Sequence, residues 1–303
     1  MILRDDLMNA ELIPIVKIGS EKTYHPQYVI PCNTYVVKIQ DLLTSTGKKF
    51  NAHFEEITNN GGFQAFFNDN CRIILSSIMP DKRIAGCSPI KLLSLIQATK
   101  PNLIITPDGE TYCDEVRRSK YVMEKSLNSI DFLLDNNTKS DQLIGLILGS
   151  NFRQVEEYIS ELKDRKISKF CFHAGDFNFR RGLLSKRLAL DYARFIRQHV
   201  PYLMIYGGGS RRFFQNYYFA DAFVTQSHYV AGFKHKKISR NGQKKYDGEI
   251  SWEFIMNNLS EIYHYHFHRE DIIKIPFSYA TNDIISPMIP FLNQNTSSPS
   301  GGK

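Results

Sequence analysis

The sequence predicts an α/β protein, a (β/α)8 barrel of the TIM type, on three observations. From about residue 100 onward, short apolar runs rich in β-branched residues alternate with helical stretches. Strands that are apolar along their whole length are typical of parallel strands covered on both faces. Similar runs in the first hundred residues raise the number of candidate strands to about eight, which favours a closed barrel over a doubly wound sheet.

The elements follow one another in a regular order through the second part of the chain. The predicted strands there are Leu103–Thr106, Leu143–Leu148, Lys169–His173, Leu203–Tyr206 and Ala222–Thr225. The helices between them are Tyr112–Leu134, Phe152–Lys163, Leu183–His199 and a short one after Tyr206, and Trp252–Ile262 is a further helix. We therefore expect a single barrel domain over residues 1–290 with a C-terminal helical extension. Residues 291–303 are polar and are predicted to form a disordered tail.

The first third of the chain is less regular. Candidate strands lie at Ile13–Val16, Tyr35–Ile39, near Phe54–Ile57 and at Ile73–Ser76, and the helices between them are short or missing. The barrel is therefore expected to be irregular in its N-terminal third.

Composition and charge indicate which partners and which cellular compartment to expect. Lys plus Arg exceed Asp plus Glu by 38 to 31, a net charge of +7, which suits a polyanion but does not establish one. No apolar run is long enough to span a membrane, and the N-terminus lacks the pattern of a signal peptide. Five scattered cysteines with no C-x-x-C pair indicate free thiols in a reducing cytoplasm.

Neither a cofactor nor a metal site is expected. The run Tyr263–His268 carries three histidines at alternate positions. Alternate residues share a face on a strand, whereas the preceding sequence predicts a helix.

In a parallel barrel the active site lies where the strands end, at their carboxyl termini. This rule gathers polar and glycine residues from several strands at one mouth. They are Asp108, Gly149, Ser150, His173, Asp176, Gly207, Gly208, Gly209, Gln226, Ser227 and His228, together with Asn59 to Gln64 if a strand ends near Ile57.

The segment Gly61-Gly62-Phe63-Gln64 has two interpretations. Two glycines let a flat ligand approach the backbone, phenylalanine offers a stacking face, and glutamine presents both a donor and an acceptor. The alternative is a plain turn.

Several segments resemble, in collinear order, the tRNA-guanine transglycosylases. Ile57-Thr58-Asn59-Asn60-Gly61-Gly62-Phe63-Gln64 resembles the family signature Leu-Thr-Asp-Ser-Gly-Gly-Phe-Gln. Four later segments also match: Asn102–Glu110, Leu143–Ser150, Phe170–Gly175 and Tyr202–Gly207. Phe219–Val224 resembles the element that carries the family's nucleophile.

The resemblance implies an exchange of nucleobases. In that family an aspartate attacks C1′, expels guanine and holds the sugar until a 7-deazaguanine displaces the enzyme, as in a retaining glycosidase. The matched positions imply that Asp108 recognises the purine. They imply that a further set lines the pocket: Asn60, Gly61, Gly62, Phe63, Gln64, Gly149, His173, Met204 and Gly207. The target base has to leave its stack to reach such a pocket.

The chain departs from the family at its catalytic positions. The family's acid/base aspartate is Asn59 here, its nucleophile position falls on Val224, and its zinc-binding cysteines are absent. Asp221 is the nearest carboxylate to the nucleophile position and the candidate for that role, with a structural role at the strand entrance as the alternative. Asp176 is a candidate acid/base group or a helix N-cap.

A basic run follows the nucleophile-like segment. It contains Lys234, Lys236, Lys237, Arg240, Lys244 and Lys245. These cations can neutralise phosphates of a nucleic acid; the alternative is a solvated loop.

A barrel without a zinc subdomain is most similar to the DNA-guanine transglycosylases of 7-deazaguanine modification systems. The expected activity is replacement of guanine in DNA by a 7-deazaguanine such as 7-cyano-7-deazaguanine. The alternatives are the same exchange on tRNA, or a non-catalytic accessory subunit that binds purine and nucleic acid. A homodimer or a helper protein is compatible with each of these.

Overall fold

Eight parallel strands pair in chain order and close on themselves in the computed structural model of the protein. The strands are β1 (Glu11–Val16), β2 (Thr34–Lys38), β3 (Arg72–Ser76), β4 (Leu103–Ile105), β5 (Leu143–Leu146), β6 (Lys169–His173), β7 (Tyr202–Gly207) and β8 (Ala222–Thr225). The last strand returns to the first, with Glu11 opposite Ala222 and Pro14 opposite Thr225. The predicted (β/α)8 barrel is thereby confirmed.

The structure describes residues 10–18, 29–67, 71–79, 87–109, 111, 116–174 and 182–267. All of them belong to the compact unit Met1–Arg269. Asp176, the predicted domain end at residue 290 and the predicted tail at 291–303 lie outside the described residues. None of the described helices has both the length and the apolar composition that crossing a membrane requires.

Helices connect the strands and cover the barrel. They are α1 (Ala52–Asn59), α2 (Phe63–Phe67), α3 (Pro89–Thr99), α4 (Val116–Asp135), α5 (Phe152–Asp164), α6 (Gly182–His199), α7 (Arg211–Asn216), α8 (Ser227–Phe233) and α9 (Trp252–Glu261). Short 3-10 helices occupy Ile39–Leu42 and Ser140–Gln142, and a π-helix, Ile262–Phe267, continues α9. The helices predicted at 152–163, 183–199 and 252–262 agree with α5, α6 and α9 to within one residue at each end.

The strand predicted near Phe54–Ile57 is wrong, because these residues belong to helix α1. The Asn51 side chain caps that helix by accepting a hydrogen bond from the Phe54 N–H at 3.2 Å. Ile57 is buried and Glu55 is exposed. An N-cap asparagine and the three-residue spacing of Phe54 and Ile57 are features of a helix, not of a strand.

The double glycine joins α1 to α2 in a tight turn at the amino end of the barrel. Gly61 and Gly62 have φ angles of +92° and +113°, which side chains disfavour. A Cβ on Gly62 would also lie 2.9 Å from the Thr99 carbonyl oxygen at the end of α3. The glycines therefore allow a helix end, not a ligand, to approach the backbone.

The basic run forms a β-hairpin instead of a loop. Strands β9 (Lys236–Ser239) and β10 (Gly242–Lys245) pair antiparallel, and we name them, with the turn Arg240–Asn241, the lysine hairpin. Asn258 of α9 attaches it to the body of the protein. Its side-chain oxygen accepts from the Ile238 N–H at 2.7 Å, and its amide donates to the Lys236 carbonyl at 3.0 Å.

Gly62→Ala should destabilise the fold more than Gly242→Ala does. Both residues have strongly positive φ, but a Cβ at Gly242 meets nothing within 4 Å. The shared backbone strain costs about 1–3 kcal/mol, and the contact with Thr99 adds about 1–3 kcal/mol at Gly62 alone. Urea unfolding of the two variants measures the difference, and equal losses would contradict the close approach.

Candidate active site

The carboxyl ends of the eight strands define one end of the barrel, which we name the mouth. Six strands place polar side chains there or just below it: Lys38 on β2 and Asp41 after it, Ser76 on β3, Asp108 after β4, His173 on β6, Tyr206 on β7 and Gln226 after β8. The hydrophobic residues beneath them, such as Val36, Ile144 and Val224, are fully buried. The barrel interior is therefore packed, and chemistry is confined to the mouth.

Tyr206 forms the floor of the mouth. Its side chain lies near Ser76 of β3, across the barrel from β7, and its hydroxyl is buried without a hydrogen-bond partner among the described residues. The ring of His173 packs edge-on against it at 5.1 Å between centroids. Burial, and to a lesser degree the fields of Asp41 and Asp108, raise the pKa of Tyr206 well above its ordinary value. The hydroxyl consequently stays protonated.

Lys38 and Gln226 meet beside this floor. The Lys38 ammonium donates a hydrogen bond to the Gln226 side-chain oxygen, although the two residues are 188 positions apart in sequence. Burial lowers the pKa of Lys38, while the nearby Asp41 opposes that shift. A lysine with a lowered pKa transfers a proton more readily than an exposed one does.

Asp108 is held by backbone donors from two loops. Its Oδ1 accepts from the Gly109 N–H at 2.8 Å, and its Oδ2 accepts more weakly from the Met79 N–H at 3.4 Å. These contacts orient the carboxylate between the exits of β3 and β4. The side chain is half-buried. Its negative charge contributes to the raised pKa of Tyr206 and to that of Cys171.

Sequence analysis missed four members of this group: Lys38, Asp41, Ser76 and Tyr206. Lys38 is the last residue of β2, and Asp41 follows in the 3-10 helix Ile39–Leu42. The predicted strand Tyr35–Ile39 ends next to Asp41, so the rule that chemistry follows strand ends applied to it equally. Among the described residues, Asp41 and Asp108 are the two carboxylates that follow barrel strands at the mouth.

The other predicted pocket residues lie at different distances below the mouth. His173 is half-buried at the mouth and Gly207 ends β7 beside it. Met204 is 1% exposed, pairs with Cys171 and lies one layer below Tyr206. Gly149 has φ +140° and packs against Val155 at the start of α5, so its lack of a side chain serves a turn.

The structure does not bring Asp221, the candidate nucleophile, to the mouth. Asp221 precedes β8 and therefore lies at the amino end of the barrel, opposite the mouth. Its carboxylate pairs with Arg197 at 2.7 Å and accepts from the Leu203 N–H at 2.7 Å. The structural role at the strand entrance, the alternative considered above, accounts for both contacts.

The segment Asn59 to Gln64 also lies at the amino end and not at the mouth. It follows α1 and precedes β3, so it is not at the exit of a strand. Asn59 and Gln64 are exposed, and the Asn60 amide donates to the Glu56 carbonyl at 2.7 Å at the end of α1. Phe63 is fully buried beside Phe67, with ring centroids 6.3 Å apart. The structure therefore does not bring these residues together with Asp108.

The lysine hairpin carries like charges directly opposite one another. Lys236 faces Lys245 and Lys237 faces Lys244 across the two strands. All four are exposed, and among the described residues an acidic side chain pairs only with Lys245, namely Asp247. Opposed like charges destabilise a hairpin, and a bound polyanion would relieve that repulsion. Arg240 in the turn and Lys234 before β9 are exposed as well.

His266 links the hairpin to the mouth. Its Nδ1 accepts from the Arg211 N–H at 3.2 Å, and its Nε2 contacts the Ser239 carbonyl at 2.9 Å. Arg211 begins α7, shortly after β7 leaves the mouth. The turn end of the hairpin is therefore held on the mouth side of the barrel. Within the described residues no three His, Cys, Asp or Glu side chains gather as metal ligands.

Comparison with protein-family models gave no match. Comparison with curated proteins likewise gave no match.

Asp221→Ala should destabilise the protein without altering the mouth. It removes the Arg197 ion pair and leaves the Leu203 N–H without its acceptor, which costs about 1–3 kcal/mol in the free energy of unfolding. Asp247→Ala, which removes an exposed ion pair with Lys245, is the matched control and should cost less than about 1 kcal/mol. Urea unfolding compares the two, and an unchanged stability for Asp221→Ala would contradict the structural role.

His228 should make the fold sensitive to acid. It is fully buried in the first turn of α8, and burial lowers its pKa to about 3. The unfolded chain takes up a proton near pH 6.5 but the folded one does not, so stability falls as the pH drops below 6.5 toward 3. Between pH 7 and pH 5 this loss amounts to about 2 kcal/mol.

Denaturant unfolding at the two pH values checks this prediction. His228→Gln should remove most of the loss attributed to His228, whereas the exposed His264→Gln should retain it. An identical pH dependence in wild type and His228→Gln would show that another group is responsible.

Proposed function

We propose that the protein exchanges guanine in DNA for a 7-deazaguanine, such as 7-cyano-7-deazaguanine, at the mouth of the barrel. The observation that carries the proposal is the position of Asp108. It is the residue that the family resemblance assigns to purine recognition, and it lies at the mouth, held by two backbone N–H groups. The lysine hairpin, tied to the same end through His266, supports a polyanionic substrate.

Asp108 suits the Watson–Crick edge of guanine. The N1–H and the 2-amino group of that base are two parallel donors, and a carboxylate offers two acceptor oxygens. The backbone contacts to Gly109 and Met79 hold the carboxylate plane before a base arrives. Such preorganisation reduces the entropy lost on binding.

Asp41 is the proposed nucleophile. Asp221 lies at the opposite end of the barrel, and Val224 offers no reactive group. In the first step an Asp41 oxygen bonds to C1′ while the bond from C1′ to guanine N9 breaks, and the departing base takes up a proton. In the second step the 7-deazaguanine N9 loses its proton and attacks C1′, which frees the carboxylate. Two displacements return the sugar to its original configuration.

Lys38 is the proposed proton donor and acceptor. It takes the place of the family's acid/base aspartate, whose position is Asn59 here. Asp41 lies close enough to Lys38 for its charge to oppose the lowering of the lysine pKa by burial, and the hydrogen bond to Gln226 orients the ammonium. In this scheme Lys38 gives a proton to the leaving guanine and recovers one from the incoming base.

A non-catalytic role has one observation in its favour. Both positions at which the family carries catalytic aspartates, Asn59 and Val224, lack a carboxylate, and neither lies among the polar groups of the mouth. The second candidate function is therefore an accessory subunit that binds a purine and a nucleic acid for a catalytic partner.

Release of radiolabelled guanine tests the proposal. The protein is incubated with labelled DNA or labelled tRNA, 7-cyano-7-deazaguanine is added, and free guanine is counted. We expect release from DNA, with Asp41→Asn reducing the rate by about 1,000-fold or more. Asp108→Asn should lower kcat/KM about 10- to 100-fold because it loses hydrogen bonds to a charged acceptor. Asp221→Asn, at the other end of the barrel, should keep the wild-type rate per folded molecule.

The alternatives give different results in the same assay. Release from tRNA alone would overturn the choice of DNA. If the protein binds DNA and the deazapurine but releases guanine from neither nucleic acid, the accessory-subunit function is supported and the enzymatic one is overturned. Full activity in Asp41→Asn would overturn the assignment of the nucleophile.

A further inference from the structure

A group of aromatic side chains lies beside the mouth, next to the lysine hairpin. Tyr229 and Phe233 on α8 and Trp252 at the start of α9 form what we name the ring cluster. Their centroids are 4.7 Å apart for Tyr229 and Phe233 and 5.9 Å apart for Tyr229 and Trp252. Neither the sequence resemblance nor the proposed exchange reaction uses these rings.

The ring cluster is accessible from solvent. The side chain of Phe233 is 48% exposed, and Tyr229 and Trp252 are partly exposed. Exposed apolar groups that form a patch mark interaction sites. Phe233 is one of the large hydrophobic side chains that stay exposed among the described residues, and it lies beside a second, partly exposed ring.

Lys17 places the cluster at the rim of the mouth. It follows β1 at the carboxyl end of that strand. Its ammonium lies 5.6 Å from the Tyr229 centroid and 5.5 Å from the Phe233 centroid. A cation over aromatic rings provides both a charge for a phosphate and a surface for a planar group.

The chain connects the cluster directly to the lysine pairs. Two residues, Lys234 and His235, separate Phe233 from Lys236, so the cluster and the first lysine pair lie within about 10 Å along the chain. The pairing continues to this end, because the Tyr246 N–H donates to the His235 carbonyl at 2.8 Å. The rings and the lysines of the hairpin are therefore neighbours on the surface of the described protein.

We propose that this surface binds an unpaired nucleic-acid strand, with one base stacked on the ring cluster and the phosphates on the lysine hairpin. Cations along the backbone combined with exposed rings are the arrangement that binds single strands, since every base has a face to stack whatever its sequence. A base pair inside a duplex offers no free face to Phe233. The partner is thus a single-stranded or locally opened stretch, and not a closed double helix.

This inference deepens the proposed function by describing how the strand beside the exchanged base is held, but its test needs no guanine. Trp252 is the single tryptophan of the chain, so fluorescence excited at a wavelength that tyrosine does not absorb reports on the cluster alone. Oligo-dT should quench this fluorescence as it binds. A duplex of equal charge should bind less tightly and quench little.

Two variants separate stacking from charge. Phe233→Ala should weaken oligo-dT binding about 5-fold or more, with the salt dependence unchanged. The double variant Lys236→Gln and Lys245→Gln should weaken binding and lower the slope of log affinity against log salt by about 1.4, the amount expected for two phosphate contacts of a single strand. The matched control Lys120→Gln and Lys125→Gln, exposed on α4, should change neither quantity by as much.

The outcomes distinguish this inference from the proposed exchange. Oligo-dT binding without guanine release from any substrate would support the strand-binding surface and overturn the proposed exchange activity. Guanine release with no quenching by oligo-dT, or with equal affinity for the duplex, would overturn the ring cluster as a strand-binding surface. Unaltered binding in Phe233→Ala would overturn it too.

Discussion

The pairing of β1 with β8 is the constraint on which the rest of this molecule depends. Four residues of β1, Glu11 to Pro14, lie opposite Ala222 to Thr225, and this register leaves no free strand edge in the barrel. Closure brings eight strand ends together at the mouth and eight strand starts together at the other end. Polar residues are thereby divided into two groups on opposite sides of an apolar interior.

This division explains why two conspicuous segments of the sequence make structural contacts away from the mouth. The double glycine and Asp221 both have strong local signals, but both precede a strand. At that end a glycine admits the backbone of a neighbouring helix, and a carboxylate caps a strand and pairs with Arg197. Lys38 and Asp41 stand where a strand ends, with less conspicuous sequence around them. In a closed barrel, whether a residue precedes or follows its strand says more about its role than the motif in which it occurs.

The barrel itself was predictable because the buried strands are continuous apolar runs, such as Ile73–Ser76 and Leu203–Tyr206. The first third was harder to predict because its helices are short. The segment Phe54–Ile57 is only about one helical turn long, and over so few residues the apolar pattern of a strand cannot be told from that of a helix. Asn51 before that turn was the local signal for a helix. The contacts of the mouth could not be predicted, since Lys38 and Gln226 meet only through the register of β2, β1 and β8. The sequence predicted the positive charge of the hairpin but not the pairing of its two strands.

The floor made by Tyr206 and Ser76 has a kinetic consequence. The interior beneath it is filled by side chains, so a base can enter and leave only on the mouth side of the barrel. Under the proposed exchange, a guanine that has been expelled leaves by the same opening through which its replacement enters. Two purines that need the same Asp108 carboxylate exclude one another. The reaction would then follow a ping-pong order, in which the first base departs before the second binds, and the covalent sugar intermediate has to outlast that interval.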